Sequence, residues 1–386
     1  MKRYPMKRRF VFALLLLAAV IHVGTGASAA TIFVSPAGEA SAAGTETAPL
    51  ASLAEAIERA RPGDTIRVAA GTYRPASSIL FAGKGTAAAS IRVEATGPER
   101  PVFDFSGAGQ DRRAHGFAVS GDYWHLVGLE VTGAAGFGIA VSGHHNIIER
   151  CRAHANQNTG INLGAPASHT LVLDCESYRN VDFPTRGQNA DGFGAKFDVG
   201  PGNIFRGCRA WENADDGFDL WKAPHPVRIE NCVAYRNGLD LWGIEGFTGN
   251  GNGFKVGGDF VAAAHVIVGC VATDQPKRGF DQNNNTGPLV FERCTAIRCG
   301  TGFSVILATK SGEPNLLRDN VAWDAPAVLV HGTVEENNLW SGADGTKVPA
   351  SYIESTALTR KGKVPYHPVT SSGPPPRTPP ERTPGK

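Results

Sequence analysis

The 386-residue chain predicts an all-β protein, a parallel β-helix with a short N-terminal capping helix. Three observations predict it. Segments of about 24 residues repeat, each marked by cysteine and asparagine. A second marker, glycine followed by an apolar residue, recurs in step with the first. Between the markers run short β-type stretches broken by Gly, Asn and Asp, with no helical periodicity. One such coil cannot bury its own apolar side, but stacked coils share a continuous core.

Residues 1–29 carry Lys2, Arg3, Lys7, Arg8 and Arg9 and no acid. Phe10 to Val23 is an almost unbroken apolar run, and Ala27-Ser28-Ala29 places small residues at the cleavage positions. Basic stretch, short apolar stretch and small-x-small site together predict a secretory signal peptide. The expected product is secreted, either extracellular or held in the periplasm. The run is short for a bilayer span, and no later segment has the 18 or so apolar residues that a membrane helix requires. The formal charge of +2 becomes −3 once five basic residues leave, 33 basic against 36 acidic. That balance excludes the basic excess of a nucleic-acid binder. With 19% charged and 42% apolar residues, general disorder is excluded as well.

From residue 30 to 345 the chain reads as one β-helix domain. Thr31 to Val34 is a strand, and Ser35 to Thr47 a small-residue loop. In Pro49–Ala60, residues Leu53, Ala56, Ile57 and Ala60 fall at i, i+3, i+4 and i+7, which predicts a short amphipathic helix. It is expected to cap the open end of the core, because terminal strand edges need covering. Pro62-Gly63-Asp64 ends it, and Thr65 to Val68 starts the next strand.

The repeat proper is Cys-x-[Ala/Ser]-x-x-Asn, at Cys151–Asn156, Cys175–Asn180, Cys208–Asn213 and Cys232–Asn237. Degenerate copies follow at Cys270–Gln275 and Cys294–Cys299. The cysteine spacings are 24, 33, 24, 38 and 24, so the short one is a coil and the long ones a coil plus an insertion. The glycine marker stands at Gly160, Gly192, Gly217, Gly253, Gly279 and Gly302, each before Ile or Phe. Equivalent residues on adjacent coils should lie roughly 4.8 Å apart. Phenylalanines are expected to stack inside, and asparagines to form a ladder at one turn. Asparagine is absent before Asn146, so the earlier coils must close differently. Six of the seven cysteines fall in one column and are expected to be small buried apolar residues. An oxidising compartment permits disulfides between coils but the odd count does not favour a closed framework. The column lacks the spacing of a zinc site. Residues 346–386 read as a C-terminal extension, and His367 to Lys386 as a disordered Pro-rich tail.

One patch of the stack is unusually acidic. With the marker glycine as zero, Asp191 and Asp216 both stand at −1, Asp215 at −2 and Asp219 at +2. Four clustered carboxylates repel and call for a cation, and all-oxygen ligands of this charge suit Ca²⁺. Asp is also a good turn residue beside Gly, which is the plainer account. Lys255 and Asp281 continue the +2 column. Lys255 is either a rung in an Asp-Lys-Asp ion-pair ladder or, with its pKa lowered by a nearby cation, a base. Between Lys84 and Lys277 only Lys196, Lys222 and Lys255 occur, and all three fall near the acids. Lys196, Lys222 and Arg278 are candidate contacts for an anionic substrate.

Asn-Ala-Asp-Gly-Phe (189–193), Asp-Asp-Gly-Phe-Asp-Leu-Trp (215–221), Gly-Asn-Gly-Phe-Lys-Val-Gly-Gly (251–258) and Gly-Phe-Asp-Gln-Asn-Asn-Asn (279–285) are similar to the motifs of polysaccharide lyase family 9 pectate lyases. The resemblance spans roughly 31–340 and keeps order and spacing. It implies a right-handed β-helix, Ca²⁺ on Asp191, Asp215, Asp216 and Asp219, and Lys255 as the proton-abstracting base. It implies β-elimination in polygalacturonate, leaving 4,5-unsaturated products. An acidic polysaccharide is then the partner of a protein that acts as a monomer, without nucleic acid or membrane. Two other readings stay open on the residues alone. A β-helix hydrolase would use paired carboxylates and yield reducing ends without unsaturation. A non-catalytic polysaccharide-binding β-helix would bind without turnover.

Overall fold

A computed structural model describes residues 29–340. The leader through Ser28, the predicted domain end at 345 and the Pro-rich tail lie outside the described residues. Each coil gives one strand to each of three parallel sheets, of ten, eleven and twelve strands. One turn of chain shows the pattern. Phe193–Ala195 lies in the ten-stranded sheet, Ile204–Arg206 in the twelve-stranded, Arg209–Trp211 in the eleven-stranded, and Phe218–Asp219 returns to the first. The coil is right-handed, the hand that connections between parallel strands nearly always take.

The capping helix is Leu53–Arg59, shorter than the stretch predicted from Pro49. Ser52 caps it by accepting a hydrogen bond from the Glu55 N–H at 3.3 Å. Leu50 is drawn instead into bridges with Val34 and Glu39. Leu53, Ala56 and Ile57 are buried, and the helix packs on Thr31–Glu39, Thr65–Val68 and Ile79–Phe81. A single 3₁₀ turn, Phe183–Thr185, is an element the sequence reading did not foresee.

The columns form as expected. Phe193, Phe218, Phe254, Phe280 and Phe303 stack with ring centroids 4.8, 4.8, 4.9 and 4.7 Å apart. All seven cysteines are free and buried, and the thiols find backbone carbonyls, as Cys175 does with Ile148 O at 3.3 Å. The Asn156, Asn180, Asn213, Asn237 and Gln275 side chains form the ladder. In each step one side-chain oxygen accepts the backbone N–H of the previous rung, at 3.1 to 3.2 Å. Asn146, Asn203 and Asn315 do the same at another corner, for the N–H groups of Trp124, Thr170 and Leu289. That second column escaped the sequence reading because its members are not evenly spaced.

The marker glycines recur for lack of room. A Cβ at Gly217 would lie 2.6 Å from Gly253 O and 2.8 Å from the Ala234 Cβ. At Gly253 it would lie 2.7 Å from Gly279 O and 2.8 Å from the Ala272 Cβ. The corner lets each coil's backbone touch the next only where no side chain intervenes.

Both insertions fall at this corner. Asn180 to Gly192 is 12 residues and Asn237 to Gly253 is 16, where Asn213 to Gly217 is 4. The two inserted loops pack on each other. The Thr248 N–H donates to Arg186 O at 2.9 Å, and Trp242, Ile244 and Phe247 gather around Val181, Ala190 and Ala214. They wall one side of the coil that carries Asp215 and Asp216.

Asn213→Ala would take the Oδ1 acceptor from the backbone and amide N–H of Asn180 and the amide donor from Ser177 O, leaving Asn237 Oδ1 only the backbone N–H of residue 213. We expect urea unfolding to show a loss of about 2–4 kcal/mol. A loss under about 0.5 kcal/mol, the size of an ordinary surface change, would contradict a structural role for the ladder.

Candidate active site

The site is built by two columns. In the ten-stranded sheet Gly194, Asp219, Lys255, Asp281 and Ser304 are in register on successive coils. Phe218 and Leu220 turn into the core, so Asp219 between them faces away from it, and Lys255 follows between Phe254 and Val256. The residues just before the marker glycines form the second column: Thr159, Asp191, Asp216, Asn252 and Arg278.

Hydrogen bonds run along that second column. Thr159 Oγ1 donates to Asp191 Oδ2 at 2.9 Å. Asp191 Oδ1 accepts the Asp216 N–H at 3.2 Å. Asp216 Oδ1 accepts both the backbone and the amide N–H of Asn252, each at 2.8 Å. Asp219 Oδ1 accepts the Trp221 N–H at 3.0 Å. Carboxylate oxygens of Asp191, Asp216 and Asp219 come within 4.8 Å of one another, and all three residues are buried. Asp215 is outside this trio. It is buried behind it, with Oδ1 taking the Asn250 N–H of the second insertion at 2.6 Å.

Two ammonium groups enter the cluster. Lys255 Nζ stands 3.2 Å from Asp216 Oδ2 and 3.4 Å from Asp219 Oδ2. Lys196 Nζ stands 2.5 Å from Asp191 Oδ2 and 3.4 Å from Asp219 Oδ2. With all four carboxyls ionised, the two ammoniums leave two negative charges, which one divalent cation would neutralise. Asp216 Oδ2 has only the Lys255 ammonium as partner, and Asn252 Oδ1 and, on the preceding coil beside Gly194, Asn162 Oδ1 are buried oxygens that receive no hydrogen bond. An oxygen-only, net-negative, incompletely satisfied site fits a hard divalent cation.

Burial and mutual repulsion set the charge states. Burial pushes the Asp191 carboxyl up to about 7, against the pull of Lys196. Burial also raises Asp215 and Asp216. Burial alone would lower Lys255, but the carboxylates of Asp219, Asp216, Asp215 and Asp191 outweigh it and hold the ammonium well above the usual lysine range. Without a cation, then, Lys255 is locked in its protonated form. The lowered pKa expected from sequence presupposes the cation that frees it.

The structure separates the three residues expected to meet an anionic substrate. Lys196 is only 7% exposed, and its ammonium is engaged inside the cluster, so it serves as an internal counter-ion. Lys222 and Arg278 remain at the surface. Lys222 pairs with Asp259 at 2.5 Å and lies 4.9 Å from the centre of the Trp221 ring. Arg278 pairs with Asp281 at 2.9 Å. Sequence reasoning passed over Thr159 and Asn252. The signal was present, since both precede a marker glycine as Asp191 and Asp216 do.

A folded-state pKa raised from 3.8 to about 7 makes Asp191 a pH-dependent destabiliser. In that window the unfolded chain binds fewer protons than the folded one, so stability falls as pH rises. For chelated protein we expect thermal unfolding to show a decline from pH 5 to pH 7, on the order of a few kcal/mol in all. Asp191→Asn should flatten the curve, as should millimolar Ca²⁺.

A sequence model described as "Pel9A-like, right handed beta helix region" matches residues 32–320. Pectate lyase L of Dickeya dadantii (strain 3937) is 39% identical over 316 residues, covering 80% of this chain and 74% of its own. Pectate lyase PEL9 of Emericella nidulans is 35% identical over 348 residues, covering 81% and 84%. Among solved structures, the pectate lyase Pel9A superposes with a TM-score of 0.78 at 39% identity, covering 84% of this chain and 83% of that one. A rhamnogalacturonan lyase superposes with a TM-score of 0.69 at 26% identity, covering 83% and 90%. On the extent of these matches the chain belongs to the Pel9A-like right-handed β-helix family, the family of these pectate lyases.

Proposed function

We propose that this protein is an exported, calcium-dependent pectate lyase that cleaves 1,4-linked polygalacturonate by β-elimination. The observation that carries the reading is the placement of Lys255. Its Nζ is held 3.2 and 3.4 Å from Asp216 and Asp219 at the mouth of the trio, with 12% of its side chain exposed. A lysine serving only as a surface ion pair has no reason to be buried among acids of this number.

Asp191, Asp216 and Asp219 would hold the calcium, with Asp215 behind them, and Lys196 would balance the remaining charge. When bound, calcium withdraws charge from the substrate's C6 carboxylate and so makes the adjacent C5–H more acidic. The same carboxylates hold the proton on Lys255, and a carboxylate engaged with a cation holds it less. Lys255 Nζ, once neutral, takes the C5 proton. The electron pair of that C–H bond becomes the C4=C5 double bond, and the C4–O4 bond breaks with its pair leaving on oxygen, which is protonated. Lys222 and Arg278 at the rim offer point and forked cations to flanking uronate carboxylates.

Incubation with polygalacturonate should produce ultraviolet absorbance of the unsaturated product, dependent on calcium and abolished by chelator. Lys255→Ala should lower kcat on the order of 10²–10⁴-fold with KM little changed. Reducing ends without unsaturation, activity indifferent to chelator, or an unimpaired Lys255→Ala would each sink the proposal.

The base must be neutral to act, and its pKa in the cation-free protein is raised. Initial rates at saturating calcium should therefore climb on the alkaline side of neutrality. A rate that peaks in acid would point to a carboxylate base.

A further inference from the structure

Asp64 is a buried carboxylate, 6% exposed, in the turn that follows the capping helix. Its Oδ1 accepts the Ala30 backbone N–H at 2.7 Å, and its Oδ2 accepts the Arg61 N–H at 2.8 Å. The carbonyl of Ala30 in turn accepts the Thr65 N–H at 2.9 Å, so both backbone groups of Ala30 are pinned to one turn. Among the described residues, the acids paired with cationic side chains at this end of the stack are Glu55, Glu94, Asp104 and Asp122, and Asp64 is not one of them. A buried carboxylate that has only amide donors lacks the counter-ion its charge calls for.

The sequence places Ala30 directly after the small-x-small pattern Ala27-Ser28-Ala29. Ala29 and Ala30 are both exposed, so the bond between them is open to a protease. We propose that an export endopeptidase cuts between Ala29 and Ala30, and that the α-ammonium so formed is the missing counter-ion of Asp64. One water is consumed. The Ala29–Ala30 C–N bond breaks, the carbonyl carbon takes the hydroxyl and becomes the Ala29 carboxylate, and the Ala30 nitrogen takes the protons and becomes an ammonium. The donor at 2.7 Å stays in place, but an amide–carboxylate hydrogen bond becomes an ammonium–carboxylate ion pair, with charge on both partners. The position is selective to one residue. An amine on Ala29 would stand roughly 3.5 Å further along the chain, and a cut after Ala30 would remove the donor altogether. Processing would thus complete the N-terminal end of the stack, independently of the catalytic reading.

The test uses the full chain, leader included, expressed in an exporting bacterial host. Intact mass and N-terminal sequencing of the exported protein should give Ala30 as the first residue, and any other first residue overturns the proposal. An ordinary α-amine titrates near 7.7–8.0. The Ala30 amine, followed by pH-dependent acylation, should titrate at least about one unit higher. At pH 7 it should therefore react about tenfold more slowly than in Asp64→Asn. An amine with the ordinary value in the wild-type protein overturns the ion pair, whether or not Asp64→Asn folds. Equal rates in a folded Asp64→Asn do so as well.

Discussion

Everything in this molecule depends on the register of parallel backbone hydrogen bonds between coils. Once one coil pairs with the next, each residue lies one strand spacing from its equivalent, and the chain loses the freedom to place side chains singly. A favourable choice is then repeated as a column. Phenylalanines stack ring on ring at 4.7 to 4.9 Å, and each ladder asparagine satisfies the backbone of the coil before it. The marker glycines are the negative of the same rule, because the corner they occupy has no room for a Cβ.

The acid cluster uses that constraint against its usual effect. Register that stacks like residues would ordinarily be ruinous for carboxylates, which repel at this distance. Here Asp191 and Asp216 are stacked deliberately, and the repulsion is offset by three devices. Backbone N–H groups solvate one oxygen of each, two lysines supply fixed charge, and the remaining two negative charges define what a cation must bring. The same arrangement keeps Lys255 protonated until the carboxylates are otherwise engaged. The charge state of Lys255 and the engagement of the acids are therefore linked through shared oxygens rather than through any moving part.

The insertions show where the repeat was relaxed. Both lengthen the same corner, between the asparagine ladder and the marker glycine, and they meet each other across it. The stack can absorb extra residues there because the corner faces outward, and long loops close at small entropic cost. Their effect on the site is specific, since the Asn250 N–H of the second insertion donates to Asp215 Oδ1.

The coils, the columns and the residues that share them are legible in the sequence, because period and register are properties of spacing alone. Spacing therefore placed Asp191, Asp216, Asp219 and Lys255 together, and could have placed Thr159 and Asn252 by the same count. What happens past the end of a strand is set by the three-dimensional packing instead. Lys196 and Lys222 stand at neighbouring marker positions, yet one ammonium folds back into the buried acids and the other stays at the surface beside Trp221. Turn geometry sets those directions, and turns obey no period. The partner of Asp64 was equally hidden, because Ala30 lies 34 residues before it and meets it only when the first strand joins the stack.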